Sequence, residues 1–195
     1  MPHVKDSDLP VVAFPTALEW QHWLSTNHAS AIGIWLRFYK KYSGVATVSY
    51  DEALDEALCF GWIDGQLKKY DEQSWIQRFT PRRPKSIWSN RNKEHVQRLM
   101  AAGRMHHAGL QAVRAAKADG RWENSYDSPS KMTIPEDFLT QLVANTRAKA
   151  FFDTLNRANL YAIAWRLQTA KKNETRNKRI AAIIAMLEKG QAFHS

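Results

Sequence analysis

Cysteine is nearly absent: Cys59 is the single one in the chain. A disulfide within the chain is excluded, and so is a zinc site built on four thiolates. Long apolar runs are missing too. No stretch approaches the roughly 18 consecutive apolar residues of a membrane span. The opening Met1-Pro2-His3-Val4-Lys5-Asp6 lacks the apolar segment of a secretory signal, so the expected location is the cytoplasm. The patterns GxGxxG, GxxxxGKS/T, HExxH and GxSxG do not occur, which removes the commonest nucleotide, zinc-protease and serine-hydrolase signatures. Adjacent His106 and His107 would diverge on a helix and make a poor metal pair. No metal and no cofactor are expected. Acid is scarce as well: 19 Asp+Glu stand against 28 Lys+Arg, a formal charge of +9. Such a balance favours an anionic partner, whether nucleic acid, a phosphorylated small molecule or an acidic protein, or else serves solubility alone.

What is present is enough apolar material for packed cores: 44% hydrophobic residues and eight Trp. The residues through Pro10 read as an arm. Thr16 and Glu19 form a T-x-x-E capping box, followed by Leu18, Trp20, Trp23 and Leu24. Residues 31–39 read as a strand. Ser49 and Glu52 open a second helix that Gly61 stops in the left-handed conformation. Two strands, 62–69 and 74–80, flank a hairpin loop at 70–73, and Pro81 and Pro84 end the sheet. Helices follow from Ser89 to Gly103 and over 105–118. Residues 121–131 read as a polar surface loop. Thr133 and Glu136, with Pro135 in the first turn, predict a third capped helix. Further helices are expected over 138–142, 151–155 and 160–170. A last one is capped by Asn173 and lined by Ile180, Ile183, Ile184 and Leu187. Strands early and helices late make an α+β chain: a small antiparallel sheet with helices over 1–120, and a helical domain or subdomain over 132–195.

Three constellations can carry chemistry. The first is Arg78 to Arg91, with five cations in fourteen residues and no acid. Arg82, Arg83 and Lys85 bear charge on a proline-stiffened loop. Ser86, Ser89 and Asn90 offer short polar groups where a helix begins, and Trp88 offers a stacking face. Together they suit a phosphate or carboxylate. The structural alternative is that Ser89 only caps the helix and Trp88 fills core. The second is Gly61-Trp62-Ile63-Asp64-Gly65. Here Gly65 permits a bulge, and Asp64 needs a partner, Arg82 or Arg83 being near in sequence. The third is Arg166 to Arg179, with six cations and one acid. Its Lys171, Lys172, Arg176 and Arg179 form either an anion-contacting patch or a solvated helix face. Cys59 reads as a buried small hydrophobe.

At these same residues the chain resembles the bacteriocin-protection, YdeI or OmpD-associated family. The matching stretches are ALCFGWIDG (57–65), RFTPRRPKSIWSN (78–90), Gly103-Arg104-Met105 with Ala108-Gly109, AKADGRW (116–122) and AKKNETRNKRI (170–180). The resemblance implies a bacterial α+β protein and a part in protection against antimicrobial peptides or bacteriocins. Residues and resemblance together lead to two expectations. One is a non-enzymatic cytoplasmic protein that binds an anionic partner, with a role in stress or bacteriocin resistance. The other is an enzyme or sensor for a small phosphate or carboxylate, its pocket built by the GWIDG and PRRPKSIWS segments with Trp62, Asp64 and Arg78.

Overall fold

A computed structural model describes residues 8–127 and 131–194. The chain divides into two compact units. The first comprises Met1–Trp88 and Asn92–Glu123, the second Ser89–Arg91 and Asn124–Ser195.

The first unit is built on a four-stranded sheet in the order β1-β2-β4-β3, with β1 at Val11–Ala13, β2 at Ile34–Tyr39, β3 at Trp62–Lys69 and β4 at Ser74–Pro81. β2, β4 and β3 are antiparallel, as expected, but β1 lies parallel to β2, so the sheet is mixed. That strand begins at Val11, directly after the segment read as an arm, where no element is expected. Three residues are too short to announce themselves by alternation. The expected arm at residues 1–7 lies outside the described residues. Side chains alternate across a strand, so Ile34, Leu36 and Phe38 of β2 share one buried face with Phe79 of β4 and Trp62 of β3.

Helices α1 at Ala17–Asn27 and α2 at Tyr50–Cys59 pack into the same core. At the start of α1 Thr16 accepts from the Glu19 amide at 3.3 Å, one half of the expected box. Ser49 and Glu52 form the full reciprocal capping box on α2. Trp20 Nε1 donates to the Ala53 carbonyl at 3.0 Å and ties α1 to α2. Trp62 Nε1 donates to the His28 carbonyl at 3.0 Å, just past the end of α1. The β3–β4 hairpin is closed by Asp71, which accepts from the Gln73 amide at 2.9 Å and from Ser74 Oγ at 2.6 Å. Helix α3 spans Asn90–Ala101 and α4 spans His107–Ala118. Two glycines let α4 approach the end of α2. Gly61 has φ +74°, and a Cβ there would stand 3.0 Å from the Ala108 carbonyl oxygen. A Cβ on Gly109 would stand 2.3 Å from the Cys59 carbonyl oxygen.

The second unit holds α5 at Glu136–Val143, α6 at Thr146–Phe152, α7 at Arg157–Gln168 and α8 at Asn173–Glu188. Phe138, Leu142, Ile163, Leu167, Ile180, Ile183 and Leu187 form its core. Three expected starts differ. Pro135, not Thr133, is the N-cap of α5, with its extended backbone at φ −65° and ψ 143°. Proline fixes φ but contributes no side-chain acceptor, so the cap works through its carbonyl, which accepts from Phe138 and Leu139 at 3.2 Å each. Helix α6 begins five residues before its expected start, because Asn145 accepts from the Ala148 amide at 3.0 Å. Asn173 is the first helical residue of α8, and Lys172 takes the cap position. Among the described residues no helix is long and apolar enough to cross a membrane.

Candidate functional site

The loop after β4 is the most cationic feature of the first unit. It leaves the sheet through Pro81, and the Arg82 amide donates to the Gly61 carbonyl at 2.9 Å. Arg82 then folds back: its guanidinium carbon lies 3.7 Å from the centroid of the Trp88 ring, and Nη1 donates to the Ile87 carbonyl at 3.1 Å. Trp88 is 2% exposed and packs edge-on against Trp122 with ring centroids 5.0 Å apart. Lys93 and Lys117 stand 5.4 and 5.5 Å from the Trp122 ring. Arg121, 6% exposed, is pinned by Asp119 at 2.7–2.8 Å and donates to the Ser86 carbonyl at 2.8 Å. Arg83 and Lys85 remain exposed on the same loop. A Trp pair thus orders a cluster of cations, the ring faces attracting each cation while the loop carbonyls take guanidinium hydrogens.

The structure separates several residues that the sequence places side by side. Trp88 is a core residue whose ring is covered by Arg82 and Trp122, so it anchors the loop and presents no free stacking face. Trp62 is buried too, edge-on to Trp20 and Trp23. Asp64 does not pair with Arg82 or Arg83. It is half-buried and accepts from Tyr50 Oη at 2.8 Å and, at 3.5 Å, from Gln77 Nε2. Alternation along the strands decides this: Asp64 pairs with Phe79 and faces the helices, whereas Arg78, opposite Trp35, faces the other way. The ladder does shift between Asp64 and Leu67, as Gly65 allows, and a Cβ on Gly65 would stand 3.1 Å from Arg78 Nε. Ser89 and Asn90 belong to the second unit. Ser89 bridges to Tyr126. Asn90 donates to Asp127 at 2.7 Å, accepts from Ser125 Oγ, and gives its amide to the Tyr126 carbonyl. The start of α3 is therefore engaged by residues 125–127, which take up the Asn90 side chain and its amide.

In the second unit, two of the four patch residues serve the fold. Arg176 grips Asp137 with two bonds of 2.6 and 2.7 Å and donates to the Leu167 carbonyl at 2.7 Å. That hydrogen-bonded pairing holds the Asp137 carboxyl below the usual range. Arg179 donates to the Arg166 carbonyl at 2.5 Å and to Thr169 Oγ1 at 3.3 Å. Both close the C-terminal end of α7, where bare carbonyls favour cations. Lys171 and Lys172 stay exposed.

A cluster that sequence spacing concealed lies along α2. Asp55, 8% exposed, accepts from His95 Nδ1 at 2.7 Å and from Arg98 Nη2 at 2.7 Å through both oxygens. Burial pushes the Asp55 carboxyl up, but Arg98 and His95 outweigh it and hold it low. Its neighbour Glu56 pairs with Arg104, yet burial leaves that carboxyl raised. Burial and nearby Glu56 push the Cys59 thiol up to about 12, which keeps it protonated and unreactive near neutrality. The partners lie some 40 residues apart, and no local motif links them. Among the described residues no group of three His, Cys, Asp or Glu side chains is placed to hold a metal ion.

Two family models match the chain. Residues 12–112 match the one described as Domain of unknown function (DUF8412), and residues 131–190 match Bacteriocin-protection, YdeI or OmpD-Associated. The first match lies within residues 8–123 and the second within the helical unit. No curated protein and no solved structure matches.

Proposed function

The chain belongs to the family described as Domain of unknown function (DUF8412), and we propose that it is a non-enzymatic binding protein for an anionic partner. The contact surface is the loop carrying Arg82, Arg83 and Lys85, together with Lys93 and Lys117. One observation carries the reading: the Trp88–Trp122 pair gathers Arg82, Lys93 and Lys117 from three separate segments beside a loop whose sequence holds no acid. Solubility alone does not require charge to be ordered on a buried aromatic pair; recognition gains from it, because an ordered cation loses less side-chain entropy on binding. The proposal includes a cytoplasmic location and a part in stress or bacteriocin resistance, the latter supported by the name of the family that residues 131–190 match.

The test is fluorescence anisotropy of a labelled single-stranded oligonucleotide across a salt series. Log affinity should fall linearly with log salt, and Arg83→Glu with Lys85→Glu should weaken binding. The slope should shrink by about 0.7 for each phosphate contact removed. A double variant that binds like the parent sinks the site. The competing reading, an enzyme or sensor for a small phosphate or carboxylate, needs Asp64 beside those cations, whereas Asp64 is engaged by Tyr50. A thermal-shift screen of phosphorylated metabolites separates the two, since a single metabolite that raises Tm while oligonucleotides do nothing would favour the competitor.

A further inference from the structure

The second unit contains an open groove of about 400 Å³ between α7, α8 and the segment after α8. Its walls are apolar: Trp165 from α7, Ala182 and Met186 from α8, and Phe193 beyond the helix. Two guanidinium groups interrupt them. Arg166 lies 3.8 Å from the Phe193 ring centroid and donates to the Ala162 carbonyl at 3.0 Å. Arg179 donates to the Arg166 carbonyl and to Thr169. Every one of these acceptors is neutral. Among the described residues neither arginine meets a carboxylate, so two formal positive charges line an apolar groove without a counter-charge.

Phe193 is not a loose wall. The buried Asn159 side chain donates to the His194 carbonyl at 3.1 Å and accepts the His194 amide at 2.9 Å. This two-bond clamp fixes the segment after α8 and holds Phe193 under Arg166. The volume lies in the range of small-ligand sites, which are mostly apolar with a few placed polar groups. An apolar occupant alone would leave the two charges uncompensated in a low-dielectric surround, and a cation would be repelled. An aliphatic chain with one anionic head satisfies both halves.

We propose that the groove lined by Trp165, Arg166, Arg179, Ala182, Met186 and Phe193 binds an amphipathic anion, its head on the two guanidinium groups and its chain along α8. The proposal rests on the second unit alone and stands or falls independently of the oligonucleotide experiment. Isothermal titration of the full chain with decanoate, below its micelle concentration, should give one saturable site. Decyl phosphate should bind as well, because the head is read by charge. Decanol should bind about tenfold more weakly, as expected for a lost charge-assisted hydrogen bond, and decyltrimethylammonium should not bind. Ala182→Phe fills the groove from an exposed helix position and should weaken decanoate about tenfold with the far-ultraviolet spectrum unchanged. Arg166→Met should weaken decanoate and leave decanol unchanged. The proposal is overturned if decanoate shows no saturable binding, if Ala182→Phe binds it as the parent does, or if the cationic analogue binds as tightly.

Discussion

Gly109 gives the sharpest test of how the first unit is packed. Replacing it by Ala adds one methyl group at the closest point between α4 and the end of α2. That methyl would lie 2.3 Å from the Cys59 carbonyl oxygen and 2.7 Å from that of Leu58. Both obstacles are backbone atoms at the C-terminal end of a capped helix, so neither can swing away. Relief requires α4 to retreat by roughly 1 Å, the gap between these distances and ordinary contact. Retreat stretches the bond from the His106 amide to the Cys59 carbonyl, now 3.1 Å and worth about 1 kcal/mol. Overpacking adds about 1–3 kcal/mol, and the better helix propensity of Ala returns about 1 kcal/mol. The expected net loss is about 1–3 kcal/mol. For a unit of this size it lowers Tm by about 4–12 °C. The assay is thermal unfolding followed by near-ultraviolet circular dichroism, which reports the Trp20, Trp23 and Trp62 cluster. Gly103→Ala is the control, since no atom lies within 4 Å of its Cβ position and only its φ of +66° opposes the change, at about 1–2 kcal/mol. A Gly109→Ala protein that melts within a degree of the parent would refute the close approach, and with it the placement of α4 on α2.

Four further outcomes follow from the same geometry. Cys59 should resist iodoacetamide at pH 8 in the native protein and react once urea unfolds it, because the thiol is buried and burial pushes it up to about 12. Asp55→Asn should cost about 2 kcal/mol at pH 7 through the weakened bonds to His95 and Arg98. The Asp55 carboxyl is held low, so its contribution is present above the ordinary carboxylate value and disappears as pH falls through the native one; the variant's deficit should shrink there in acid denaturation. Glu56 runs the opposite way. Its raised native value means stability is lost as pH climbs from the ordinary to the native value, so Glu56→Gln should raise Tm at pH 7 and leave it unchanged at pH 4. Arg176→Met should lower the stability of the helical unit by about 1 kcal/mol in urea melts, with the loss smaller at high salt.

Capping and turn chemistry made much of the secondary structure legible. Thr16, Ser49 with Glu52, Gly61 and the 70–73 hairpin act over three or four residues, so they are readable without the tertiary contacts. The departures are local as well. At α5 and α8 a residue one or two positions away takes the cap, and Asn145 starts α6 without a pattern that marks it. The α+β class is legible because strand and helix periods occupy different parts of the chain.

The charge excess, the single thiol, the cationic acid-free loop and most helix and strand positions are legible in the residues alone. These depend on residue identity and on spacings shorter than one turn of structure. Which cations meet which aromatics is set by packing, and the reason is distance along the chain. Trp122 reaches Trp88 from 34 residues away, and His95 reaches Asp55 from 40. Tertiary packing also turned Asp64 to the helix side and Arg78 to the other. Alternation fixes that they differ, but only burial of Phe79 and Trp62 fixes which side is inside. It made Trp88 an anchor for the loop, and it spent Arg176 and Arg179 on the carbonyl end of α7. A charged side chain takes the nearest unsatisfied partner in space, and the neighbours that space supplies are set by the fold.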